Sequence, residues 1–233
     1  MNPYLATLLT FAVALVFLRL MDFLAQRGFI ESKLSRKYIH IGTGPLFVVC
    51  WLMFPEVPLA RYLAALVPLL ITVQFVLVGT GIMKDDAAVQ AMTRTGNPKE
   101  ILRGPLFYGI VFVLLTIIYW KDSPIGITAL MMMCGGDGIA DIVGRRVKSP
   151  KLFWSPEKSV AGSLSVFAGG AVLTALILFI YVSLGIFAAP FSMYIIPILW
   201  VALGSMLIES LPFKDVDNIT LTVVSALIGH LVF

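Results

Sequence analysis

Cys134-Gly-Gly-Asp-Gly-Ile-Ala-Asp-Ile-Val-Gly-Arg-Arg-Val-Lys-Ser-Pro-Lys-Leu-Phe-Trp-Ser-Pro-Glu-Lys-Ser-Val-Ala-Gly-Ser163 is the stretch on which the reading of this chain turns. An apolar segment ends in two aspartates, a basic loop follows, and a second apolar segment opens just after Lys158. Asp137 and Asp141 are four residues apart, which in a helix puts them on one face, and Arg145 extends that face by another turn. An aspartate at the centre of a bilayer costs about 2.5–3.5 kcal/mol, and less near the interface or beside a cation. The stretch therefore reads as a metal–nucleotide site at a membrane surface. The alternative is a helix-end charge cluster in which the two acids pair with Arg145 and Arg146.

Composition supports the membrane. Mean hydropathy is +0.97, and 59% of residues are hydrophobic against 13% charged, where soluble domains carry about 25% charged residues. A polytopic membrane protein is expected, all-α, with residues 1–233 forming a single integral membrane domain and no separate soluble domain. Apolar runs at 3–24, 38–54, 59–80, 105–120, 124–143, 160–187, 194–208 and 219–233 give about eight spans. Arg19 and Asp22, three apart near the end of the first run, can pair. The two cysteines, Cys50 and Cys134, have no metal or disulfide spacing. The first run, opening at Asn2-Pro3, reads as a retained anchor with no cleavable leader or transit segment before it. This predicts a prokaryotic plasma or thylakoid membrane.

Loop charge gives an orientation. Of the 17 basic residues, all but Arg19, Arg61 and Lys121 fall in the segments 27–38, 80–103, 144–158 and 209–218. The positive-inside rule places those segments in the cytoplasm and both termini on the opposite side. Within 81–103, Ile82, Met83, Ala87, Ala88, Ala91 and Met92 predict a short helix lying on the interface.

Each of these four segments carries a polar cluster. In the third, Gly135, Gly136 and Gly138 allow close backbone approach around Asp137, and carboxylates suit Mg²⁺, which takes one or two acids plus substrate phosphates. Ser155-Pro156-Glu157-Lys158 predicts a helix start with Ser155 as N-cap and Pro156 at the first position. Free amides there, with Lys158 beside them and Ala161 and Gly162 leaving room, would face an anion. Two acids for a metal and a lysine for phosphate suit phosphoryl transfer, a chemistry of positioning and charge neutralisation.

In the first cluster, Arg36 and Lys37 are either lipid-facing topology signals or phosphate contacts. His40 is a candidate proton acceptor, or an interfacial hydrogen-bonding residue. In the second, Glu100 and Arg103 have the spacing of an i,i+3 ion pair or bind substrate. In the fourth, Glu209 at a helix end is the better candidate for a further carboxylate than the Lys214–Asn218 run. His230 lies near the opposite end and reads as structural.

The segments Ser35-Arg-Lys-Tyr-Ile-His-Ile-Gly42, Glu100-Ile-Leu-Arg-Gly-Pro-Leu-Phe-Tyr108, Ser123-Pro-Ile-Gly126, Gly135–Arg145, Pro156–Ser163 and Glu209-Ser-Leu-Pro212 together resemble the phytol kinase branch of the polyprenol kinases. The resemblance runs from about residue 35 to residue 218. It implies an integral membrane kinase that phosphorylates a long-chain isoprenoid alcohol such as phytol or geranylgeraniol. CTP is the implied donor in preference to another nucleoside triphosphate, in chlorophyll salvage toward tocopherol biosynthesis.

The resulting expectation assigns Asp137 and Asp141 to Mg²⁺. Arg36, Lys37, Gly135, Gly136, Gly138, Gly144, Arg145, Lys158, Ser159 and Gly162 are assigned to the nucleotide phosphates. Glu100 and Arg103 are assigned to the substrate, and Asp141, His40 or Glu209 to the proton. The partners are then CTP, the alcohol and membrane lipids, without nucleic acid. The rival reaction is cytidylyl transfer from CTP to a phospholipid or prenyl phosphate. A transporter would need charges near span midpoints, and here nearly all lie at span ends.

Overall fold

The computed structural model describes residues 1–93, 95–213 and 216–233, without the side chains of Asp22, Gln26, Ser32 and Lys33. The expected Arg19–Asp22 pair and the loop charges at Lys33, Arg94, Lys214 and Asp215 lie outside the described residues. The protein is an all-α, polytopic membrane protein, and its chain divides into two compact units, Met1–Ile117 and Ile118–Phe233.

The first unit contains α1 (Pro3–Gln26), α2 (Ser32–Cys50), α3 (Leu59–Gly79), the short α4 (Asp86–Met92) and α5 (Gly104–Ile118), whose last residue belongs to the second unit. Tight turns at Trp51–Met53 and Pro98–Leu102 link them. Helix α1 starts where the sequence puts a cap and a proline: the Asn2 side chain accepts from the Tyr4 amide at 2.9 Å and Pro3 follows. Helix α4 begins on Asp85, whose carboxylate accepts from the Ala88 amide at 2.9 Å and from Gln74 Nε2 at 3.0 Å. The expected interfacial helix is only partly so. Met83, Val89 and Met92 pack on Phe75, Val78 and Ile101, while Ile82 stays exposed.

The second unit contains α6 (Pro124–Met131), α7 (Gly138–Arg146), α8 (Val160–Ser183), α9 (Ser192–Glu209) and α10 (Asp217–Val232). Between α6 and α7 the chain stays helical but widens into a π turn over Met132–Asp137, a feature frequent at functional sites. The stretch Pro124–Arg146 is this unit's core helix. Its most apolar window is 72% buried, against 33% for α8 and 22% for α9, whose outer faces are left for lipid.

Six helical stretches among the described residues are long and apolar enough to cross a membrane. The other two expected spans fall on α2 and on α10, the latter a shorter apolar helix.

One local expectation is corrected. Residues 155–159 form a strand, β2 (Ser155–Ser159), pairing antiparallel with β1 (Lys151–Leu152), and the helix starts only at Val160. Ser159, extended at φ −125° and ψ 153°, is the N-cap instead of Ser155. The hairpin forms because Val160 N–H donates to Pro150 O at 3.0 Å, tying the strand's end back to its beginning.

Candidate functional site

The sequence candidates divide between the units. In the second unit, Asp137 closes the π turn with helical dihedrals, so α7 continues its spiral and Asp141 lies one turn further on the same side. Asp141 accepts from Arg145 Nε at 2.8 Å, with Arg145 64% exposed. The helix-end pairing weighed above therefore holds for Asp141.

Lys158 is clamped. Its ammonium lies 3.1 Å from Glu209 Oε1 and 3.6 Å from Asp217 Oδ1, and it also donates to the Glu209 carbonyl. That carbonyl is at the C-terminus of α9, where a helix dipole favours a cation. Asp217, in the first turn of α10, favours that helix's start for the same reason. The side chains of Lys158 and Glu209 are only 17% and 11% exposed. The charge of Asp137 also bears on Glu209, with those of Lys158 and Asp217. Asp137, Lys158, Glu209 and Asp217 thus make one group of three acids and one cation, and Glu209 Oε2 is buried with no hydrogen-bond partner among the described residues.

The amides expected to face an anion are already engaged. Ala161 N–H donates to Ser149 Oγ at 3.1 Å and Gly162 N–H to Ser159 Oγ at 3.3 Å, with Val160 N–H held by Pro150 as described. The start of α8 is capped by its own chain, and the expectation of free amides there is corrected. The glycines are also closely packed. A Cβ on Gly135 would lie 2.8 Å from Gly169 O and 2.9 Å from Leu173, and one on Gly136 would lie 3.1 Å from Val166. Gly144 and Gly162 face each other, each within 3.5 Å of a Cβ built on the other. Gly138 is buried too. Their direct role is to bring the core helix against α8, which sets Asp137 beside the Glu209 cluster.

The first unit holds a separate polar group. Arg36 and Lys37 are half-buried near the start of α2. One turn on, His40 packs its ring against Tyr108 with centroids 4.5 Å apart, and Tyr108 Oη donates to the His40 carbonyl at 2.7 Å. The Tyr108 ring continues into Phe112 and Phe47. Glu100 accepts from the Thr95 hydroxyl, and Arg103, at the end of the Pro98–Leu102 turn, is exposed. In the second unit, His230 Nε2 lies 2.9 Å from Tyr119 Oη in a hydrogen bond.

For a divalent cation the donor set fits without being a closed cage. Among the described residues no three His, Cys, Asp or Glu side chains converge as metal ligands. Mg²⁺ needs only one or two carboxylates when waters and substrate phosphates complete its shell, and Asp137 and Asp141 supply two hard oxygen donors one turn apart. Glu209 Oε2 is a further acceptor in the group that includes Asp137.

Sequence reasoning missed Asp217 as the second partner of Lys158. No spacing rule links Lys158 to residues 51 and 59 positions away, and only the fold brings them together.

Comparison with known proteins gives consistent results. The chain is 43% identical over 230 residues to a probable phytol kinase 1, chloroplastic, of Oryza sativa subsp. japonica, covering 98% of this chain and 73% of that protein. It is 39% identical over 212 residues to phytol kinase 1, chloroplastic, of Arabidopsis thaliana (90% and 70% covered). It is 38% identical over 212 residues to the farnesol kinase, chloroplastic, of the same plant (90% and 69%). No family model and no solved structure matches the chain. These relatives overturn the expectation of a prokaryotic membrane, since each is by name a chloroplastic enzyme of a plant. That expectation rested on where the sequence begins, which carries no information about compartment.

Proposed function

The chain belongs to the phytol kinase branch of the polyprenol kinases, and we propose that it transfers the γ-phosphoryl group of CTP to the hydroxyl of a long-chain isoprenoid alcohol, phytol or geranylgeraniol. The observation that carries this reading is the Lys158 clamp. A cation fixed between Glu209 and Asp217, beside Asp137, sits where membrane helices end. Only at that depth do a water-soluble donor and a membrane-dissolved alcohol meet.

Asp137 and Asp141 would hold Mg²⁺, which when bound supplies charge neutralisation at the nucleotide phosphates. Lys158 adds a positive charge whose position is set before substrate arrives, so little reorganisation is needed as charge develops on the transferred group. Arg145, mostly exposed, closes over the phosphates from the solvent side, exchanging its bond to Asp141 for one to the donor. Glu209 Oε2, an acceptor without a partner among the described residues, takes the proton of the alcohol as the alcohol oxygen bonds to the γ-phosphorus. The bond from that phosphorus to the bridging oxygen breaks and CDP leaves with the electron pair.

In the first unit, Arg36 and Lys37 are proposed as phosphate contacts, Glu100 and Arg103 as substrate contacts, and His40 as an alternative base, as is Asp141 in the second unit. The proposal treats residues 1–233 as a single kinase domain of about eight spans, with the basic loops on the donor's side and both termini opposite. Purified protein in bilayers, given phytol, geranylgeraniol or farnesol with CTP or ATP, tests the reading by mass of the lipid product. A prenyl monophosphate formed faster from CTP is expected, and no phosphorylated alcohol from any pairing would refute it.

A further inference from the structure

Two connections of the second unit meet and turn apolar side chains outward. The β1–β2 hairpin carries Phe153, 89% exposed, and Trp154, 44% exposed, packed edge-on with ring centroids 4.5 Å apart. Trp154 Nε1 donates to Ser210 O at 3.0 Å, which brings the hairpin to the turn after α9, where Leu211 and Phe213 are 37% and 40% exposed. Lys158 adds its clamp on Glu209 and Asp217. The hairpin is thus held against the turn at both of its ends, and the exposed rings belong to a fixed surface.

Where this patch lies relative to a bilayer follows from helix length. Helix α8, 24 residues long, spans about 36 Å at 1.5 Å per residue, a little more than the ~30 Å hydrocarbon core. The hairpin leads directly into its first residue, Val160, so it lies at headgroup level. Its charge fits that level. Between residues 145 and 158 the chain has Arg145, Arg146, Lys148, Lys151 and Lys158 against the one acid Glu157; Lys148 and Lys151 are exposed, and Lys151 donates to the Glu157 carbonyl at 3.1 Å across the hairpin.

We propose that Phe153, Trp154, Leu211 and Phe213, flanked by Lys148 and Lys151, form a lipid-binding surface that inserts into the headgroup layer of a bilayer containing anionic lipid. Aromatic rings with apolar bodies and polar edges favour that layer, and juxtamembrane lysines are attracted to anionic headgroups. Because the same hairpin carries Lys158, insertion holds the clamp at the level where the membrane ends. The inference depends on the helices crossing the membrane and is independent of the reaction proposed above.

The test uses Phe153→Cys. Cys50 and Cys134 are buried, so a thiol-reactive fluorophore goes to position 153; Leu211→Cys serves as a second reporter. The full chain is placed in phosphatidylcholine bilayers with or without phosphatidylglycerol. It is probed with lipids bearing a nitroxide near the headgroup and with aqueous iodide. Both labels are expected to be quenched by the lipid nitroxide and shielded from iodide in the anionic bilayers. A Lys148→Gln/Lys151→Gln background should lower the preference for anionic bilayers about fivefold per lysine. Iodide quenching as strong as for a free label, in both bilayers, would overturn the proposal. So would shielding from both quenchers, the mark of a surface covered by protein such as a second copy of the chain.

Discussion

Replacing Lys158 by methionine removes the only cation described on the Glu209 carboxylate and leaves its hydrophobic bulk in place. Glu209 is 11% exposed, its Oε2 has no hydrogen-bond partner among the described residues, and the charges of Asp137 and Asp217 remain nearby. At an effective dielectric constant of about 20, a 3.1 Å pair is worth roughly 5 kcal/mol of gross attraction. Desolvation offsets part of this, and breaking a buried pair by removing one partner costs about 3–5 kcal/mol. Partial exposure of Lys158 and Asp217 puts the expected loss near the lower end, about 3 kcal/mol. For a chain of this length that corresponds to a fall in Tm of roughly 6–12 °C.

The assay is thermal unfolding in bilayer discs, run beside alcohol phosphorylation. A second substitution separates stability from activity for the Lys158–Glu209 pair as a whole. In Lys158→Met/Glu209→Gln the buried charge on Glu209 is gone and only the more exposed Asp217 keeps its charge without Lys158, so most of the lost stability should return, while phosphorylation stays lost with both the cation and the proposed base removed. A single Lys158→Met variant that melts like the parent would refute the clamp. A double variant that regains activity with stability would refute the catalytic role.

Three further outcomes follow. Asp137→Asn should lower the phosphorylation rate at least about 100-fold with little change in Tm, and abolish Mn²⁺ binding followed by electron paramagnetic resonance; near-parental phosphorylation would contradict the metal assignment. Gly135→Ala places a methyl 2.8 Å from the Gly169 carbonyl and should destabilise by about 1–3 kcal/mol in a denaturation series, because backbone cannot yield as a side-chain tip can. Arg145→Gln breaks a largely exposed pair and should shift stability by less than about 0.5 kcal/mol, yet raise the KM for CTP several-fold, which nucleotide-dependence kinetics would report.

The parts legible in the sequence are those governed by local chemistry. Apolar runs mark the spanning helices because the backbone must satisfy itself in lipid. Asn2-Pro3 and Ser123-Pro124 mark real helix starts, with each side chain accepting from the amide two residues on. Asp137 keeps helical dihedrals at the start of α7, so the helical backbone on which the i,i+4 spacing of Asp137 and Asp141 relies is present.

Ser155-Pro156 carries the same local signal and is not a helix start. The competing features are a two-residue strand partner at Lys151–Leu152 and a better-placed cap at Ser159. The clamp was not legible for a similar reason. Lys158 meets Glu209 and Asp217 through the packing of α8 on α9 and of α9 on α10, contacts that no local rule encodes. Gly135-Gly136 and Gly169-Gly170 become informative only as a pair, since Gly135 and Gly169 each leave room for the other's carbonyl.

The most direct measurement of the central claim follows the label from CTP into lipid. Purified protein in bilayers containing phytol or geranylgeraniol is given CTP labelled either in the γ- or in the α-phosphate. The account predicts that γ-label appears in a prenyl monophosphate and that α-label stays in water-soluble CDP. Label from the α-phosphate in the lipid, with γ-label released as pyrophosphate, would contradict it and assign the site to cytidylyl transfer.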